Sequence, residues 1–146
     1  MIERANYLEI NSKAINGLAA LNKHVTSIER KLQALIELRV SQINGCVYCV
    51  DLHATQARAE GETQQRLDCL DVWRECPFFE ESERAAFAWT EAVTFLPDTN
   101  APEDLYNELK NHFSEQQIVD LTLIISLMNT WNRLAVGFRH LPEARG

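Results

Sequence analysis

The chain has 146 residues, 46% of them hydrophobic and 24% charged, the balance of a globular protein long enough for one hydrophobic core rather than of a disordered chain. Its formal net charge is −7, from 21 acidic against 14 basic residues, so a nucleic acid or an anionic membrane surface would repel it as a main partner. No run approaches the roughly 20 apolar residues of a membrane span, and the N-terminal MIERANYLEINSK has neither the basic start nor the apolar stretch of a secretory signal, so a cytoplasmic location is expected. In such a reducing compartment Cys46, Cys49, Cys69 and Cys76 are expected to be reactive, metal-binding or buried thiols, not a disulfide framework.

One domain spanning 1–146 is expected, all-α, a bundle of about six to seven helices, because apolar residues recur at helical spacing and strand-like alternation is missing. The first helix is predicted from Ser12 to His24, with Ile15, Leu18, Ala19 and Leu21 on one face. The second is predicted to start at a Thr26/Glu29 capping box and to turn Leu32, Leu35, Ile36 and Val40 inward, with Asn44-Gly45 as a left-handed stop. A third runs from about Cys46 to Glu60 and ends at Gly61. Thr63 caps a fourth, which carries Leu67, Leu70 and Val72 towards Trp73 before Pro77. The fifth, Ser82 to Phe95, buries Ala85, Phe87, Ala88 and Val93 and stops at Leu96-Pro97. A sixth begins near Pro102, in its first turn, and ends near His112. The last runs from a Ser114/Gln117 capping box to about Arg139. It is apolar on more than one face, which implies a central post that also meets another subunit.

Ser41 to Gly61, SQINGCVYCVDLHATQARAEG, carries the chemistry. At about 100° per residue, Cys46 and Cys49 lie about 60° apart on one helix face, with His53 between them. Cys49 and His53 form an i, i+4 pair and can meet. A helix N-terminus stabilises a thiolate, and a nearby histidine can take and return its proton. A second thiol one turn away, at a Cα separation of roughly 5 Å, can trap a sulfenic acid as a disulfide. The helix N-terminus favours Cys46 as the thiolate, whereas the histidine favours Cys49.

Inert buried thiols and zinc are the rival readings. Zinc would take Cys46, Cys49 and His53 plus a fourth ligand, from Cys69 or Cys76. Thioredoxin-like chemistry needs a βαβ setting, and no strands are predicted.

The same segment, continued through LDVWRECPFFEESERAAFAWTEAVTFL and FSEQQIVDLTLIISLMNTWNRLAVGFR, resembles the AhpD-like alkylhydroperoxidases of the carboxymuconolactone decarboxylase superfamily. The resemblance covers most of the chain and centres on CxxCxxxH at an NGC helix junction. It implies an all-helical homo-oligomer, with a hexamer favoured over a trimer or dimer, that reduces organic hydroperoxides or hydrogen peroxide. No bound cofactor is implied, only an external dithiol reductant. By the same resemblance Cys49 matches the attacking cysteine, Cys46 the resolving one and His53 the relay histidine.

Two positions depart from the family pattern. The relay glutamate twelve residues before the first cysteine is replaced by Ala34 here, and Glu37, one turn nearer on roughly the same face, is the candidate substitute. A histidine before the second cysteine is replaced by Tyr48. Both imply weaker peroxidase activity than in the strongest members. Outside this segment Arg133 is expected in an ion pair, with Glu37 as one candidate partner, or else to steer an anionic reductant. Trp89 and Trp131 are expected in core or interface, and His24, His112 and His140 in ordinary capping roles. Cys69 and Cys76 are expected to be structural. A redox sensor or oligomeric interaction scaffold that forms the disulfide without turnover is the alternative function.

Overall fold

The computed structural model describes residues 2–146. Among them the secondary structure is entirely helical. It comprises α1 (Tyr7–Ile10), α2 (Ser12–Ala20), a 3-10 turn (Leu21–His24), α3 (Arg30–Asn44), α4 (Val47–Ala59) and α5 (Gln64–Cys69). A second 3-10 segment (Leu70–Glu75) follows, then α6 (Glu81–Thr94), α7 (Leu96–Thr99), α8 (Glu103–Lys110) and α9 (Glu115–Phe138).

The core forms where α3 packs against α4, α6 and α9, and where α6 packs against α8 and α9. Leu35, Ile36 and Val40 of α3, Phe87 of α6 and Leu121 and Ile125 of α9 are completely buried there. Phe87 meets Phe79 edge-on, with ring centroids 5.1 Å apart. Arg39 of α3 ties the second 3-10 segment to the bundle. Its guanidinium donates to Asp71 at 2.6 Å and to Glu91 of α6 at 2.9 Å, and Trp73 Nε1 donates to the same Glu91 oxygen. By contrast, α1, α2 and the turn after them bury no residue and pack chiefly on one another. They form an N-terminal arm.

The α3–α4 elbow decides where the cysteines sit. Gly45 takes φ +67°, a left-handed conformation that glycine adopts without a Cβ penalty. An amide ladder, buried at Ser41, Asn129 and Asn132, braces this corner against α9. Asn44 Nδ2 donates to Asn129 Oδ1 and Asn132 Oδ1 at 2.9 and 3.0 Å. Asn132 Nδ2 donates to Ser41 Oγ at 3.1 Å, and Ser41 Oγ donates to the Glu37 carbonyl at 2.7 Å.

Several sequence expectations need correction. Nine α-helices occur among the described residues, not six to seven, because α1 and α7 are single four-residue turns too short to leave a period. No Thr26/Glu29 box forms. Asp120 Oδ2 accepts from both the backbone N–H and the hydroxyl of Ser27, which pins that stretch outside the helix and delays α3 to Arg30. Val72 is 57% exposed, because the 3-10 segment kinks at it. The fifth helix, α6, ends at Thr94 beside the expected stop at Leu96-Pro97, with Pro97 in the first turn of the short α7, whereas Pro102 is the N-cap of α8 and not in its first turn. The Ser114/Gln117 box forms with both reciprocal bonds. No helix among the described residues is long and apolar enough to cross a membrane.

Candidate active site

Cys46 is the N-cap of α4, and its Sγ accepts the Cys49 backbone N–H at 3.3 Å. The two cysteines are joined as a disulfide, with Cα atoms 5.2 Å apart, the separation one helical turn provides. Both are buried, at 1% and 4% exposure, in a small cluster with Ala135 of α9 and Tyr48 packed against it. Their surroundings nevertheless differ. Cys49 lines a cavity of about 870 Å³ whereas Cys46 is absent from its wall.

Glu37 of α3 and His53 of α4 share that wall. Glu37 Oε1 lies 4.0 Å from His53 Nδ1, beyond a direct hydrogen bond. Nδ1 is buried with no partner of its own. Burial pushes the Glu37 carboxyl up to about 7, against a smaller opposing pull from Arg30. Burial holds the His53 imidazole down to about 4, only partly offset by Gln56. Desolvation disfavours the charged form of each, so His53 is neutral near pH 7 while Glu37 is poised between its two forms. A short movement would let the Glu37 carboxyl reach Nδ1 and pass a proton.

All four sequence-predicted residues, Cys46, Cys49, His53 and Glu37, therefore meet at one place. Ala34 lines the same cavity, one turn of α3 from Glu37. Arg133 does not join them. It points to solvent and makes no ion pair among the described residues, because its position on α9 faces away from the bundle. Cys76 is buried in the main core and Cys69 packs against it, apart from the Cys46–Cys49 cluster. No group of three or more His, Cys, Asp or Glu among the described residues is arranged to hold a metal ion.

His140 lies near a helix end as expected, but its ring does more than cap. It lies beyond α9 with its ring stacked on Tyr48, centroids 3.8 Å apart, and its Nδ1 lies 2.8 Å from Tyr7 Oη. Tyr7, Tyr48 and His140 line the cavity with Cys49. Tyr7 and His140 are 133 positions apart, so no local spacing could signal the contact. His112, as expected for a helix end, stays local and meets Glu108 one turn back at 3.0 Å. Trp131 is half-buried against the core and also faces the cavity.

The fold and this site define an AhpD-like helical protein built around a cysteine pair. The chain belongs to the carboxymuconolactone decarboxylase family, whose model matches residues 12–92. It is 41% identical over 138 residues to the uncharacterized protein YdfG of Bacillus subtilis (strain 168), covering 93% of this chain and 94% of that protein. A crystal structure from Agrobacterium tumefaciens, described as a protein of unknown function and a candidate antioxidant defence protein AhpD, superimposes with a TM-score of 0.95. It shares 40% identity, over 99% of this chain and 100% of that one. An uncharacterized peroxidase-related protein of Silicibacter sp. TM1040 shares the fold, with a TM-score of 0.82 at 21% identity, over 92% of this chain and 72% of that one.

Proposed function

We propose that the protein is a thiol-dependent peroxidase that reduces organic hydroperoxides or hydrogen peroxide at Cys49. One observation carries the reading: Cys49 faces the cavity beside Glu37 and His53, while Cys46 waits behind it within disulfide reach. In the reduced protein neutral His53 takes the Cys49 proton and relays one from its other nitrogen to Glu37. The carboxyl of Glu37 serves as the proton store because its affinity lies near ambient pH. The Cys49 thiolate attacks the outer peroxide oxygen, so an S–O bond forms and the O–O bond breaks. The departing alkoxide takes the stored proton and leaves as an alcohol. Cys46 then attacks the Cys49 sulfenic acid, its thiol proton passing to the departing hydroxyl, so that the S–O bond breaks, the S–S bond forms and water departs. Cys46 suits this part, since its sulfur as N-cap accepts a backbone N–H and is stabilised as an anion. An external dithiol returns both electrons, and no bound cofactor is required. The working form is a homo-oligomer, with a hexamer favoured, in a reducing compartment such as the cytoplasm.

The test is turnover. Reduced protein mixed with tert-butyl hydroperoxide and a recycling dithiol should consume peroxide catalytically and accumulate the Cys46–Cys49 disulfide when the dithiol is withheld. Peroxide loss no faster than with the dithiol alone would refute the reading.

A further inference from the structure

The cavity has a second polar end that the cysteine chemistry leaves unused. Tyr48 packs against the Cys46–Cys49 pair and carries His140 on its ring face at 3.8 Å, with the planes 19° apart. His140 in turn meets the Tyr7 hydroxyl at 2.8 Å. Three separate segments converge here: the start of α1, the first turn of α4 and the chain just past α9. Two hydrogen bonds tie the N-terminal arm to the chain around the end of α9. Arg4 N–H donates to the Phe138 carbonyl at 2.9 Å, and Leu141 N–H donates to Glu3 Oε1 at 3.3 Å.

The pair offers the cavity one free proton donor. If the Tyr7 hydroxyl donates to His140 Nδ1, the imidazole keeps its N–H on Nε2. If Nδ1–H donates instead, the Tyr7 O–H is unshared. Either tautomer of the neutral pair leaves one donor over. Burial and the neighbouring Tyr48 raise the Tyr7 phenol, so that the hydroxyl keeps its proton.

We propose that Tyr7 and His140 form a substrate-binding subsite that takes a carboxylate carried a few bonds from the peroxide group. The aromatic ring of Tyr48 stands between His140 and the cysteine pair. An acceptor held by His140 or Tyr7 is thus displaced from the oxygen that Cys49 attacks by about one ring, out of range for the O–O bond and within range of a substrate's tail. Lys23 and Arg30 line the same cavity as the acids Glu37 and Glu60, and Lys23 is its cation without an ion pair among the described residues. Arg30 is partly engaged by Glu60 at 3.7 Å. The proposal rests on hydroperoxide reduction at Cys49 for its biological meaning, but binding itself can be tested without turnover.

The probe is isocaproate, a branched carboxylate that carries no peroxide, followed through the fluorescence of Trp131 in the cavity wall. The wild type should bind it saturably. Tyr7→Phe, which removes one oxygen, and His140→Phe, which keeps a ring over Tyr48, should each raise its Kd about tenfold or more, the usual cost of losing a hydrogen bond to a charged group. In turnover, the ratio of kcat/KM for γ-hydroperoxyisocaproate over tert-butyl hydroperoxide should fall by a similar factor in both variants. No saturable isocaproate binding by the wild type, or an unchanged Kd and ratio in both variants, would overturn the subsite. Isocaproate binding that depends on Tyr7 in a protein with no peroxide turnover would support the subsite and refute the peroxidase reading alone.

Discussion

Glu37 Oε1 and His53 Nδ1 stand 4.0 Å apart, and burial displaces their ionisation in opposite directions, Glu37 up to about 7 and His53 down to about 4. Stability should record this. Between the ordinary carboxyl value of 4.5 and about 7, the folded protein binds more protons at Glu37 than the unfolded chain does, so that contribution falls as pH rises. Between about 4 and the ordinary histidine value of 6.5 the unfolded chain binds more at His53, so that contribution rises with pH. The two nearly cancel where the windows overlap. Glu37→Gln removes only the first. The difference in Tm between Glu37→Gln and wild type should therefore grow as pH rises from 4.5 to about 7, reaching several degrees at about pH 8, for a free-energy gain on the order of 3 kcal/mol. Thermal melts across that range check it, and a difference that does not change with pH would contradict the buried, proton-holding Glu37.

Hydroperoxide treatment of the reduced protein should join Cys46 to Cys49 and leave Cys69 and Cys76 as thiols. Cys46→Ser should stop at a trappable sulfenic acid on Cys49, and Cys49→Ser should consume no peroxide, because only Cys49 opens onto the cavity. Peptide mapping by mass spectrometry decides this. A dominant bond to Cys69 or Cys76, or stoichiometric zinc in the purified protein, would sink it.

Residues close in sequence were the legible ones. Cys46, Cys49 and His53 lie on one helix, and the 3.6-residue period alone brings them together. Glu37 reached the site because α3 turns back sharply at Gly45, a turn the Asn44-Gly45 pair announces. The contacts of His140 were illegible because they depend on the path of the chain after α9. The same holds for Ser27, whose bonds to Asp120 override a local capping signal. Propensity cannot foresee a tertiary partner, and both departures occurred where one decides the local conformation.

The amide ladder at the elbow should be costly to break. Asn132 is 1% exposed, accepts from Asn44 and donates to Ser41. Asn132→Leu removes the bonds of Asn132 to Asn44 and Ser41, while exposed Asn44 keeps Asn129 and Ser41 keeps the Glu37 carbonyl, so the cost is that of two net hydrogen bonds, about 0.5 to 1.5 kcal/mol each. Urea unfolding should show a loss of about 1 to 3 kcal/mol at unchanged m-value. A loss below 1 kcal/mol would mean that the elbow holds without its ladder.

Assembly is expected from what one chain leaves uncovered. Val119 and Leu123, one turn apart on α9, are 58% and 42% exposed, and the N-terminal arm buries none of its helical residues. Light scattering should find a homo-oligomer, with a hexamer favoured, and Val119→Glu with Leu123→Glu should reduce its mass. A wild type that stays at 16.7 kDa at micromolar concentration would contradict the inference.

The relay is tested most directly by two substitutions on α3. If Glu37 serves as the proton store, Glu37→Gln should slow peroxide reduction about a hundredfold, the usual worth of general acid–base help, with the helical content unchanged. The wild-type rate should rise with pH to an inflection near the Glu37 value of about 7, because the carboxylate must be free to receive the Cys49 proton. Glu37→Gln should lose that inflection. Ala34 lines the same cavity, so Ala34→Glu places a second carboxylate within it. If Glu37 has fully replaced the family's relay residue, Ala34→Glu should add little to the wild type and should restore part of the rate to Glu37→Gln. If Glu37 is inert, Glu37→Gln should match the wild type while Ala34→Glu outruns it. Since Ala34 is only 4% exposed, rates should be compared on variants whose circular dichroism matches the wild type. A folded wild type that forms the disulfide yet shows no turnover, with neither substitution changing the outcome, would replace the peroxidase with a redox sensor that uses the same cysteine pair.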